Sequence, residues 1–206
     1  MNTIYRCLAQ MGVVNPVRQL VVGPSSGPRE PFPLRMEGKV IKGFGRGSED
    51  LGIPTANLPV DDTQTPWISS IDSGAYFGWA SLRLSPAEGS DQVATEFSIY
   101  PMVMSIGYNP FYGNTVRSAE VHLLHNFAGR DFYGLEMRLL IMGFIRPERS
   151  YLRKQDLIHD IEMDCDVARR SFEQEAWSLR ETGKGILDGS WLVRGVEETQ
   201  DVMVIE

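Results

Sequence analysis

From Gly74 to Arg146 the chain repeats one pattern: an apolar run rich in aromatic or β-branched residues, then a cluster of turn residues. The runs are Gly74 to Leu84, Ala94 to Gly107, Ala119 to His125 and Glu136 to Arg146. Pro86 and Gly89 separate the first two, and Asn109-Pro110 with Gly113-Asn114 ends the second. Runs of this kind, bounded by such residues, read as strands. Gly38 to Lys42 adds a short strand upstream, and Pro101 marks a kink inside the second run. Only Gln155 to Glu173 changes period. There Leu157, Ile161, Cys165, Ala168 and Phe172 recur at spacings of four and three, which predicts an amphipathic helix with one buried face. Many strands and one helix make a mainly β domain, a barrel or a sandwich.

The first strand delivers Gly43 to Pro59, which reads GFGRGSEDLGIPTANLP. Its glycines allow tight turns and close approach of a ligand to bare backbone. Runs of exposed amides form anion-binding nests. Thr55 and Asn57 place two neutral oxygen donors two residues apart, behind a proline that stiffens the chain. Such donors suit Mg²⁺ whose counter-charge comes from nucleotide phosphates. A ligand-free glycine hairpin fits the same spacing. The loop is not a Walker A motif, because Gly47 is followed by Ser48. It also misses the dinucleotide fingerprint, because Ser48 stands where the third glycine belongs.

Bulk properties narrow the partners. At 206 residues and 42% hydrophobic content, the chain can bury the core of one ordinary domain. A net charge of −7 argues against nucleic acid as the main partner. Cys7 and Cys165 are too few for a disulfide framework, and Cys165 on the apolar helix face reads as a packed thiol. No apolar run approaches the ~20 residues that span a bilayer. The expected compartment is the cytoplasm, with a mitochondrial targeting segment in the first thirty-odd residues as the alternative. His122 and His125 lie three apart, on opposite faces of a strand, with no ligand cluster to complete a transition-metal site.

Six ordered blocks carry a family resemblance. They are Gly43-Phe-Gly-Arg-Gly-Ser48 with Leu51-Gly-Ile-Pro-Thr-Ala-Asn57, Gly74-Ala-Tyr-Phe-Gly-Trp-Ala80, Met104-Ser-Ile-Gly-Tyr-Asn-Pro-Phe-Tyr112, Ala119-Glu-Val-His122, Asp131-Phe-Tyr-Gly134 and Phe144-Ile-Arg-Pro-Glu148. Together they span roughly Gly38 to Phe172, and the chain resembles the riboflavin kinase (flavokinase) family there. The resemblance implies a closed antiparallel Greek-key β-barrel with a C-terminal helix. It implies phosphorylation of the riboflavin 5′-hydroxyl by ATP, giving FMN and ADP. The divalent ion it implies is Mg²⁺, or another such as Zn²⁺.

The resemblance also assigns roles. Glu120 falls on the family's catalytic glutamate; a carboxylate there accepts the hydroxyl proton and aims the oxygen at phosphorus. Thr55 and Asn57 fall on the metal ligands. Gly43, Gly45 and Gly47 belong to the nucleotide loop, with Leu123, His125 and Tyr133 on the nucleotide side. Alternation puts Leu123 and His125 on the face opposite Glu120, unless the strand ends early. Arg146, Arg149 and Tyr151 fall on the flavin-side loop, where arginine forks and aromatic faces suit an isoalloxazine. Position 49 departs from the pattern: relatives commonly have lysine, and Glu49 would repel phosphate. The alternative function is therefore a flavin- or nucleotide-binding module of the same fold with impaired catalysis. The expected layout is an extended arm over 1–35, the barrel and helix over 36–175, and a polar, acidic, loosely held tail over 176–206. A monomer without nucleic-acid partners is expected.

Overall fold

The structure is a computed structural model that describes residues 18–42, 52–61, 63–83, 97–108, 117–129, 131–179 and 189–193. Six strands form one antiparallel sheet. They are β1 (Leu34–Lys39), β2 (Ala56–Leu58), β3 (Gly74–Leu82), β4 (Ser98–Tyr108), β5 (Arg117–Leu123) and β6 (Glu136–Pro147). Their order is β1-β6-β3-β4-β5-β2, so the sequence neighbours β1 and β2 hold opposite edges. The curl of the sheet brings those edges together. Just past β1, the Ile41 amide donates to the Asn57 carbonyl at 2.8 Å, in an isolated bridge. Among the described residues, closure is one bridge wide.

Alternation sorts the side chains by face. Met36, Tyr76, Met102, Ile106, Val121 and Leu139 fill the interior. Phe77, Val103, Leu140 and Met142 point outward, and helix α1 (Lys154–Phe172) covers them with Cys165 and Ala168. Curvature has a local cause on β6. The β3–β6 register passes from Arg146 to Phe144 and from Gly143 to Ile141, so Ile145 and Met142 are extra residues. Bulges of this kind bend a strand and increase its twist. At the second bulge a Cβ on Gly78 would lie 2.1 Å from the Leu140 carbonyl oxygen, so only glycine fits.

Pro101 does not break β4: its pairing with β3 runs unbroken through Trp79↔Pro101. The reason is direction. Pro101 accepts a bond from the Leu124 amide at 2.8 Å, so its carbonyl and its missing N–H both face the β5 side. The ladder there begins only at Met102↔Leu123, and no partner loses a donor.

The described parts of the expected arm and tail, residues 18–35, 176–179 and 189–193, pack on the domain, while the rest of both lies outside the described residues. β1 starts at Leu34, four residues before the expected strand. Residues 18–33 run along α1: the Val22 amide donates to Ser171 Oγ at 3.0 Å, and Trp177 Nε1 donates to the Pro24 carbonyl at 2.9 Å. Trp177, expected in a loose tail, is buried and stacked on Phe77. The short helix α2 (Ser190–Val193) buries Leu192, whose carbonyl accepts from Ser81 Oγ at 2.7 Å. These segments cover outward-facing apolar residues that α1 alone leaves bare.

Candidate active site

The outer wall of the barrel next to β2 gathers the polar residues. Three strands meet there in one rung, because Asn57 on β2 stands opposite Glu120 on β5, and Glu120 opposite Ser105 on β4. Directly opposed residues share a face, with Cβ atoms about 4.5–5.5 Å apart. Thr55 lies immediately before β2. Glu120 therefore lies between Asn57 and Ser105, and the inward neighbours Ala56, Ala119 and Val121 are fully buried. Burial pushes the Glu120 carboxyl above the usual carboxylate range. Desolvation alone causes that shift.

His122 continues the same face. Its Nδ1 donates to the Pro54 carbonyl at 2.8 Å, which fastens the residue before Thr55 to the strand that carries Glu120. Burial lowers its pKa; the bond to Pro54 opposes this, and the Arg169 charge adds to it. The ring is thus neutral at pH 7, with its lone pair on Nε2. One rung away on the other side is Gly107, opposite Ser118. A Cβ there would meet the Glu148 carboxylate at 3.1 Å. The missing side chain leaves room for a second carboxylate over the wall.

The residues expected on the nucleotide side lie at the end of β5 and beyond it. The strand does end early, at Leu123, whose side chain is buried inward. His125 lies beyond the strand, with its ring 4.9 Å from Tyr100 and 4.8 Å from Phe127 between centroids. Phe127 in turn meets Phe132 at 5.2 Å, next to exposed Tyr133. Gly43, Gly45, Gly47 and Glu49 lie outside the described residues.

The remaining candidates lead to a charged cluster that sequence reading missed. Arg146 Nε lies 3.1 Å from both oxygens of Asp164, and its Nη2 lies 2.8 Å from Oδ2. Its Nη1 donates to the Pro147 carbonyl, so the guanidinium is committed to internal partners. Arg149 Nη1 and the Tyr151 hydroxyl both donate to Asp160 Oδ2, at 3.0 and 2.7 Å. Arg18 donates to Asp160 Oδ1 at 3.1 Å and also reaches Asp164. Burial opposes ionisation of Asp160, but the Tyr151 hydroxyl, the charges of Arg146 and Arg18 and the hydrogen bond from Arg149 outweigh it and hold the carboxyl low. Burial and the bond to Asp160 push the Tyr151 phenol up to about 12. One signal was available in the sequence. Asp160 and Asp164 are like charges one helical turn apart, an arrangement that is unfavourable without cations nearby.

Among the described residues, no group of three or more His, Cys, Asp or Glu is placed to hold a metal ion. Cys165 is buried, free, and pushed up to about 11 by burial, as suits a packed thiol.

A curled antiparallel sheet whose wall carries a desolvated carboxylate beside neutral oxygen donors defines a class. It is suited to phosphoryl transfer onto an alcohol, where positioning and electrostatics dominate. The family profile described as Flavokinase: Riboflavin kinase matches residues 30–172. A riboflavin kinase of Pyricularia oryzae is 58% identical over 191 residues, covering 86% of this chain and 94% of that protein. One of Chaetomium globosum is 51% identical, covering 87% and 94%. The crystal structure of riboflavin kinase from Trypanosoma brucei superimposes with a TM-score of 0.56 at 25% identity, covering 72% of this chain and 85% of that one. The chain belongs to the riboflavin kinase family.

Proposed function

We propose that the protein transfers the γ-phosphoryl group of ATP to the 5′-hydroxyl of riboflavin, giving FMN and ADP. The observation that carries this is the Asn57–Glu120–Ser105 rung, with a carboxylate whose proton affinity is raised where the family has its base. Glu120 takes the proton of the 5′-hydroxyl as that oxygen bonds to the γ-phosphorus. The bond from phosphorus to the β–γ bridging oxygen breaks, and ADP departs with those electrons. A carboxylate made more basic by burial accepts the proton more readily.

Thr55 and Asn57 would hold the divalent ion, which supplies charge neutralisation at the transferring phosphate. Two neutral oxygens fit Mg²⁺, whose remaining positions stay with water and phosphate. They do not meet zinc's preference for sulfur and imidazole. On the nucleotide side we place the Leu123 main chain, His125, Tyr133 and the glycines Gly43, Gly45 and Gly47. On the flavin side we place Arg149 and Tyr151, with Arg146 anchoring their loop through Asp164. We take the cytoplasm as the compartment, on the free thiol of Cys165, and a monomer as the working form. Mitochondrial import of a reporter fused to residues 1–35 would overturn the first, and a dimer mass in solution the second.

Incubation of the protein with Mg–ATP and riboflavin, followed by chromatography, should yield FMN in proportion to enzyme. Riboflavin binding without FMN would instead indicate a binding module.

A further inference from the structure

Asp160 is shared along a definite line. Its Oδ2 faces the loop and accepts from Arg149 and Tyr151, while its Oδ1 faces Arg18. Arg18 also donates to the Asp160 main-chain carbonyl at 3.1 Å. It precedes the residues matched by the family profile, yet it reaches the cluster that holds the flavin-side loop. Its own segment is fixed elsewhere, by Val22 on Ser171 and by Trp177 on Pro24. Movement of the loop therefore need not carry Arg18 with it.

We infer that Arg18 is a positioning residue: it is the standing counter-ion of Asp160 that lets Arg149 and Tyr151 leave that carboxylate for the flavin. The inference rests on the flavin-side placement of Arg149 and Tyr151 proposed above. A shielded carboxylate left without a cation is costly. Arg146 lies 3.9 Å from Asp160 Oδ2 but is engaged at closer range by Asp164, so without Arg18 the Asp160 carboxylate would hold both loop residues more tightly, and riboflavin would compete against that grip. With Arg18 in place, Asp160 stays paired whichever way the loop turns.

The sign of the effect separates this role from a merely structural one. Riboflavin binding is read by fluorescence titration in the presence of Mg–ADP, with melting curves to verify folding. Arg18→Gln should weaken riboflavin about tenfold, the scale of one charge-assisted hydrogen bond, and leave ADP affinity unchanged. Asp160→Asn alone should bind riboflavin at least as tightly as the parent, because the competing carboxylate is gone. The double variant should return to within about threefold of the parent, as coupled neighbours do. A structural role predicts that Asp160→Asn weakens binding and that the double variant is worst; either result overturns the inference. Should Arg18→Gln fail to fold, the sign for Asp160→Asn decides alone. Arg149→Ala combined with Tyr151→Phe tests the underlying placement separately. Lost affinity there, with none lost in Arg18→Gln, refutes the counter-ion role only. Unchanged affinity there removes the flavin-side placement, and the counter-ion role with it.

Discussion

Glu120 illustrates the conflict between stability and chemistry at a single residue. Burial raises its folded pKa above the unfolded value. The protonated form therefore favours the fold; that contribution is complete below the unfolded pKa and is lost as pH rises through the folded one. At pH 7 the ionised group costs stability. Glu120→Gln removes the charge and keeps the shape, so it should melt higher than the parent at pH 7, with the gap closing toward pH 4. Turnover should fall by about 10²–10⁴-fold, the usual contribution of a general base. The rising limb of kcat/KM against pH should lie above the ~4.3 of an ordinary glutamate and disappear in the variant. Turnover within threefold of the parent would remove Glu120 from the base role. Thr55 and Asn57 make a companion case. Two neutral ligands hold a reluctantly dehydrated ion weakly, so calorimetry with Mg²⁺ and no nucleotide should show no specific heat. Micromolar binding abolished by Asn57→Ala would contradict that.

Helix α1 shows what elements reveal in advance and what they conceal. Its expected span of Gln155 to Glu173 matches Lys154–Phe172 within one residue at each end, because a period of 3.6 is a local signal. β3 and β6 were legible for the same reason, by apolar runs ended by turn residues. β2 was not, because Ala56–Leu58 is too short to show alternation and becomes a strand only by pairing with β5. Asp164 lies at what the wheel gives as a polar position, yet it is 3% exposed between Arg146 and Arg18. Its partners stand 18 and 146 residues away in sequence, and no window sees them together. The rung of the site was half legible: the motifs supplied Asn57 and Glu120, but their opposition is a fact of register. Asp164→Ala would leave two cations facing each other in a shielded space. It should cost about 3–5 kcal/mol, read as a lower midpoint in urea unfolding. A loss below 1 kcal/mol would show that solvent already screens the cluster.

At the scale of the whole molecule, the segment before β1 and the segment after α1 lock each other. Trp177 stacks on Phe77 at 5.5 Å, holds Pro24 through its indole N–H, and lies over Gly23, where a Cβ would sit 2.1 Å from the ring. Trp177→Ala should cost about 3–5 kcal/mol and speed hydrogen exchange at the Val22 amide. Unchanged exchange there would mean the N-terminal segment holds without the tail. The bridge between Ile41 and Asn57 has a different kind of consequence. A barrel closed on one bridge still has two strand edges, and bare edges recruit other copies of themselves. The chain counters this with colloidal means. β2 is three residues long, and β1 interleaves exposed Arg35, Glu37 and Lys39 with its buried positions. Arg35→Val combined with Lys39→Val would leave the inward core untouched and the β propensity higher. Such a protein should refold at high dilution, yet scatter light and precipitate as its concentration rises.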